Sequence, residues 1–214
     1  SVIFNGANQS FTYTSPTIAI NLLANPMNLN DTALVDIYYH GTPVADPNWG
    51  GFAFNGYYAF QIGVGFQAQP HSFGRTWHPC FDNFVERSPY EFYITTADSM
   101  AGICNGLLFD STINSVNQTR TWHWKLDQEI PSYLACLAVS RYVFVHKTLN
   151  GLGGTTDAII TCEAADSNMV NGSFAHLQDA FTMLENHFGL YQWPRVGYSL
   201  VPFNAGAMEH ATNI

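Results

Sequence analysis

Apolar and polar positions alternate with a period of two along most of the chain and switch to spacings of three and four only near its end. Phe11-Thr12-Tyr13-Thr14 and Thr17 to Leu22 alternate, with Pro16 between them and Asn25-Pro26 closing the second run. That pattern predicts strands bounded by turns. Ala33 to Tyr39 reads as a further strand, followed by a Gly/Pro/Asn-rich loop from Gly41 to Gly51. Phe52 to Phe66 is aromatic and studded with glycine, as expected of strands joined by tight turns. Tyr90 to Thr96, Leu107 to Ser111, Thr119 to Leu126, Leu134 to Val139 and Tyr142 to His146 complete the set. Repeated short strands predict a mainly-β fold, a sandwich or saddle-like pair of sheets over residues 1–168.

The spacing changes near Asn171. Phe174, Leu177, Phe181, Leu184 and Phe188, joined by Ala180 and Met183, form one wide apolar stripe and predict an amphipathic helix over 173–188. Asn171 or Ser173 can cap its start with a side-chain oxygen, and Gly189 can close it in the left-handed conformation. Pro194 forbids further helix, and Val196 to Phe203 reads as a strand leading into the terminal segment, Asn204 to Ile214. A long helix after a run of strands predicts a second domain over 169–214, entered shortly before the chain stops.

Composition narrows the classes. Apolar residues make up 47% and charged residues 11%, with 16 Phe, 11 Tyr and 5 Trp, which excludes a disordered chain. No stretch approaches the roughly 20 apolar residues of a membrane-spanning helix. Seven Lys and Arg stand against 16 Asp and Glu, a net charge of −9, so a phosphate backbone or an anionic membrane surface would be repelled. Low charge with abundant Asn, Thr, Ser and aromatics reads as a secreted or periplasmic β-rich protein rather than a cytoplasmic one. The start at Ser1 has no basic or apolar leader and reads as a processed end. Cys80, Cys104, Cys136 and Cys162 are too widely spaced for a redox or zinc motif and read as free buried thiols. Four Asn-x-Ser/Thr triplets, at Asn8, Asn30, Asn117 and Asn171, decide nothing.

Two segments can carry chemistry. His78, Cys80 and Asp82 alternate on a predicted strand and would share one face. A metal site is one reading; a strand-to-turn motif with Asp82 capping backbone N–H groups is the preferred one, since three alternate residues on a strand poorly match tetrahedral geometry. Gly206-Ala207-Met208-Glu209-His210 places small residues beside a carboxylate, where the backbone can approach a ligand and Glu209 can bind an ammonium group; a surface turn is the plain alternative.

Taken in order, several segments resemble the aminopeptidase N family of zinc metallopeptidases, the gluzincin aminopeptidases. Trp77-His78-Pro79-Cys80-Phe81-Asp82 resembles the family's Trp-Phe-Pro-Cys-Phe-Asp run, and Cys104-Asn105-Gly106 its Ser-Asn-Gly turn. Pro131 to Val139 resembles its Ser-x-Tyr-Leu-x-Ala-x-x-Val strand, and Phe188 to Pro194 its Phe-Gly-x-x-Tyr-Pro-Trp-Pro segment. Gly206-Ala207-Met208-Glu209 resembles the start of the Gly-x-Met-Glu-Asn exopeptidase motif, with His210 in place of the Asn. Asp82-Asn83-Phe84 departs from the family's Asp-Glu-Pro. The anchors are collinear over residues 65–214; the first 60 residues match only as generic strands.

The resemblance implies an N-terminal saddle domain and the start of a catalytic domain. It implies zinc in the parent protein, with ligands outside this chain, because no His here is followed by Glu and His-Glu-x-x-His is absent. It implies peptide substrates, Glu209 on the substrate's α-amine with Gly206, Ala207 and Met208 beside it, and Gln69 (Gln67 as second choice) lining the first specificity pocket. A non-enzymatic adhesive or carbohydrate-binding β-sandwich, with Trp49, Tyr57 and Tyr58 as a platform, is the alternative; it gives the terminal helix and the Gly-Ala-Met-Glu segment no role.

Overall fold

The computed structural model of the chain describes residues 1–23, 26–204 and 206–213. Asn25 and Ala205 fall outside them, so the turn expected at Asn25-Pro26 is not described there. Strands β1 (Val2–Phe4), β2 (Ala7–Gln9), β3 (Phe11–Thr14), β4 (Thr17–Ile20) and β5 (Val35–Ile37) form two small sheets at the start: β2-β1-β5, and the hairpin β3-β4 predicted around Pro16. Strands β6 (Gly50–Asn55) and β7 (Tyr58–Gly65) form the hairpin expected from the glycine-studded run. Next come β8 (Arg87–Ala97), β9 (Ala101–Cys104), β10 (Leu107–Asn114), β11 (Thr119–Pro131) and β12 (Leu137–Ser140). They complete two sheets, β10-β11-β8 and β6-β7-β12-β9.

These two sheets enclose the main core. Trp124, Ile103, Leu126 and Ile130 are almost fully buried in it, and the Trp124 indole N–H donates to Gly102 O at 2.8 Å. A buried ring of this size stabilises through area while its one polar atom stays paired. Alternation does not predict β9, because all four of its residues are buried. Gly102 is required there: a Cβ would press the Ile94 side chain at 2.8 Å.

The remaining elements are β13 (Tyr142–Gly151), β14 (Gly154–Glu163), α1 (Ser167–Ser173), α2 (Leu177–Phe188) and β15 (Val196–Ser199). β13 and β14 are a long antiparallel hairpin, and β15 returns parallel to β14 after the two helices, which makes a β-α-β crossover. This sheet has its own cores, around Leu149, Ala158 and Phe181 and around Ile160, Cys162 and Val170. The boundary expected at 168/169 falls inside this crossover unit.

The single helix expected over 173–188 is two helices. Asn171 and Ser173 lie within α1 rather than capping α2, and Asn171 accepts from Lys147 Nζ at 3.0 Å. Phe174 leaves the helix to pack on Tyr198, with ring centroids 4.8 Å apart. Its spacing of three from Leu177 mimics a continuous helix, which hides the break. The apolar stripe is also only partly buried: Phe181 faces the core, while Met183, Leu184 and Phe188 are exposed. The buried position belongs to Glu185, whose carboxylate accepts from Leu152 N at 2.6 Å and Tyr191 N at 2.8 Å and so ties the β13–β14 turn to the segment after α2. Gly189 ends α2 with φ +89° and ψ −173°, a positive-φ conformation open to glycine but not the αL one. The final strand stops at Ser199, short of Phe203. No helix among the described residues is long and apolar enough to cross a membrane.

Candidate functional site

The segment 206–213 is held against the main core by Met208 and by His210 to Asn213, all buried. Met208 and His210 are buried, and Glu209 between them is exposed to solvent. The chain is fastened just beyond. Asn105, fully buried, donates to Leu134 O at 2.9 Å and Ala211 O at 2.6 Å, and accepts from Cys136 N at 2.6 Å. Gly106 N donates to Thr212 Oγ1 at 2.7 Å. Gly106 has φ +82°, and any Cβ there would lie 1.9 Å from Lys125 O, so the turn that grips the terminal segment admits only glycine. The buried Arg195 guanidinium donates to Cys104 O at 2.8 Å and Gly106 O at 2.5 Å and lies 5.0 Å from the Trp124 ring. It joins the lead into β15 to the same turn.

Thr212 pays for this grip with φ +64°, unusual for a β-branched residue. The Asn105 hub is expected to be worth about 2 kcal/mol: Asn105→Ala strands buried partners on three backbone groups, and a urea titration reads the loss as a lower midpoint at unchanged slope.

Gly206, Ala207, Met208 and His210 line a cleft of about 270 Å³, with Phe60 to Ile62 of β7 opposite and Leu200, Val201 and Phe203 beside them. His210 Nε2 is buried without a hydrogen-bond partner, against Gly63. Burial pushes its imidazole down to about 3, so it is neutral at pH 7. Glu209 acts on the next element: burial, and secondarily the Glu209 charge, raise the Tyr133 hydroxyl, with Arg87 opposing.

Gln69 lies elsewhere, exposed on the loop after β7, and no hydrogen bond among the described residues joins it to 206–210. That loop is set by Asp46, whose carboxylate accepts from Asn48 N, Trp49 N, Gln67 N and Ala68 N at 2.8 to 3.1 Å. Desolvation works to raise its carboxyl; the four N–H donors outweigh that and hold it below the usual range. Sequence reading missed Asp46 because its four partners are backbone groups, which leave no side-chain pattern.

His78, Cys80 and Asp82 are not on a strand. They follow a single 3₁₀ turn, Gly74–Thr76, in an irregular segment. Asp82 accepts from Gly74 N at 3.0 Å and pairs with Arg75, the capping role expected of the non-metal reading. Burial pushes His78 down to about 4 and the Cys80 thiol up to about 11. Cys104, Cys136 and Cys162 are buried, and burial holds all three thiols above their ordinary value, Cys136 at about 12. Trp49 and Tyr58 pack on Phe203 and Tyr142, while Tyr57 lies under Arg141, so the three do not form one platform. Among the described residues, no group of three or more His, Cys, Asp or Glu side chains is placed to hold a metal ion.

No protein-family model and no curated protein matches the sequence. Solved structures do. A mutant M1 zinc metallopeptidase from Deinococcus radiodurans bound to a Tyr-Ser-Ala substrate is 19% identical, with a TM-score of 0.86 over 100% of this chain and 48% of that one. A two-domain M1 zinc metallopeptidase mutant bound to L-tryptophan gives 19% identity, a TM-score of 0.85 and coverage of 100% and 49%. Legionella pneumophila aminopeptidase A in complex with aspartic acid gives 12% identity and a TM-score of 0.71 over 92% of this chain and 23% of that one. The chain therefore has the fold found in M1 zinc metallopeptidases, mainly β as expected, and spans about half the length of the first two.

Proposed function

We propose that this chain is the N-terminal half of a zinc-dependent aminopeptidase, one that removes N-terminal amino acids from peptides. The observation that carries the reading is the superposition of the whole chain on half of M1 zinc metallopeptidases. The collinear motifs support it: Asn105-Gly106 grips the terminal segment, and Gly206, Ala207 and Met208 line the cleft beside Glu209. Zinc in the parent would polarise the scissile carbonyl and activate water. Among the described residues none forms its site, so this chain's part is to wall the cleft and to hold the substrate. Glu209 is the anchor for the α-ammonium group, presented to solvent by the buried flanks Met208 and His210, with Gly206 and Ala207 beside it. Gln69, on the loop that Asp46 fixes, is assigned to the first specificity pocket.

We place the start of the catalytic portion at β13 rather than at residue 169. β13 and β14 share a sheet with β15 and cores with α1 and α2. A hairpin and the crossover that returns beside it form one folding unit.

Two measurements test the reading. The coding sequence read past Ile214 is expected to contain His-Glu-x-x-His within about a hundred residues, by the family's pattern; a continuation of that length without it removes the proposal. The 214-residue chain alone is expected to retain no zinc after mild chelation and to cleave no amino-acid arylamide. Stoichiometric, tightly held zinc would point instead to a site built from residues of this chain.

A further inference from the structure

The outer face of the β10-β11-β8 sheet carries a cluster that the peptidase reading does not use. Strand register puts Tyr93, His123 and Asp110 in one cross-strand row and Glu91 opposite Lys125 in the next. Pairing between β10 and β11 is irregular between Leu108 and Asp110, which leaves Phe109 as the extra residue of a bulge. Bulges re-aim side chains. Here the Phe109 ring lies 4.9 Å from the His123 ring, and Tyr93 stacks on the same imidazole at 4.2 Å and 18°.

His123 is buried beneath these rings and lies between two carboxylates. Its Nε2 is 2.7 Å from Glu91 Oε1 and its Nδ1 is 3.8 Å from Asp110 Oδ1; the Tyr93 hydroxyl also donates to Glu91 at 3.0 Å. Solvent therefore meets two aromatic rings, exposed by 63% for Tyr93 and 71% for Phe109, beside carboxylates that His123 and Tyr93 hold in place. Lys125 is engaged by Asp127 at 3.0 Å, which leaves the face negative.

The carboxylates approach different nitrogens of one imidazole, so the three groups do not converge on a metal ion. A flat organic cation fits better. A guanidinium can stack on an exposed ring and pair with a carboxylate at once, which an ammonium does less well. Next to the cluster, β10 is an edge strand: all eight of its residues are exposed, and no strand pairs with its outer side among the described residues. Such an edge takes up an extended chain through main-chain hydrogen bonds.

We propose that this face docks an extended, arginine-bearing segment of a partner protein, laid along β10 with a guanidinium stacked on an exposed ring and paired with Asp110 or Glu91. Charge selects this occupant. The chain carries −9, so a basic segment is attracted and a second copy of the chain is repelled.

The probe is a labelled twelve-residue peptide alternating arginine with valine and threonine, titrated by fluorescence anisotropy into the purified chain. It is expected to bind saturably and at least tenfold more tightly than a counterpart with glutamate for arginine. The double variant Glu91→Gln/Asp110→Asn should weaken it about tenfold, as should N-methylation of alternate peptide nitrogens, while Asp179→Asn, at an exposed carboxylate of α2, leaves it unchanged. Thermal melts establish that each variant is folded; Phe109→Ala, which keeps both carboxylates, should weaken binding about fivefold and separates stacking from charge. Equal binding of the glutamate peptide, a double variant that binds like the native chain, or an equal loss in Asp179→Asn would overturn the proposal, as would self-association through this face in sedimentation. None of these readouts depends on peptidase activity.

Discussion

Glu209→Gln in the proposed full-length aminopeptidase should cut kcat/KM for peptides with a free N-terminus by roughly thirty- to several-hundred-fold, about 2–4 kcal/mol of transition-state binding. Glu209 is exposed to solvent while both Met208 and His210, which line the cleft, are buried, so its carboxylate is free to meet a ligand and its backbone is not free to move away. A carboxylate–ammonium hydrogen bond is charge-assisted and directional, and the amide keeps the shape while losing the charge. The matching control is an N-acetylated peptide, which has no ammonium group to lose; its binding should change far less. Unchanged kcat/KM on free-amine substrates in Glu209→Ala would refute the assignment, and an equal loss on both substrate classes would make Glu209 a structural residue of the segment.

Acid should destabilise the 214-residue chain from about pH 6.5 downward. Burial lowers His210 to about 3 and His78 to about 4, the latter partly opposed by the Asp82 charge. Unfolded, each takes up a proton near 6.5. Below that pH the unfolded chain binds protons that the folded chain refuses, so stability is complete above about pH 6.5 and falls as the pH drops toward the folded values. At pH 4.5, two units of offset correspond to about 2.7 kcal/mol for each group, or about 5 kcal/mol for the pair. Urea midpoints at pH 7 and pH 4.5 should show this drop, and His210→Asn should remove close to half of it. Asp46 does not confuse the window: its lowered carboxyl contributes stability that is lost only at more acid pH. A His210→Asn chain with the full native pH dependence would exclude His210 as a source.

Strands bounded by turn residues were legible. β3 and β4 alternate in sequence, β6 and β7 fall in the aromatic run studded with glycine, and all four lie where the pattern places them. β9 was not, because a strand buried on both faces has no alternation to display. The helix was misread for a related reason: spacing reports apolar positions and not what covers them, so exposed Leu184 and Phe188 counted equally with buried Phe181, and polar Glu185 did not count at all. At the candidate site, the Gly-Ala-Met-Glu segment was visible as a motif. Its support was not. Asn105, Gly106 and Arg195 act through partners 89 to 106 residues away, and the long-range contact lives only in the fold.

That separation also sets an order of events during synthesis. The ribosome delivers Cys104, Asn105 and Gly106 long before Arg195, Ala211 and Thr212 exist, at a rate of about 5–20 residues per second. For several seconds the turn has water in place of its permanent partners, and the last grip on the main core forms only when residue 212 is free to reach it. Contacts of such long loop closure form late. A nascent chain halted near residue 190 should therefore hold the sheet β6-β7-β12-β9 while the Gly106 amide still exchanges its hydrogen freely, with the segment that carries Glu209 the last part to be set.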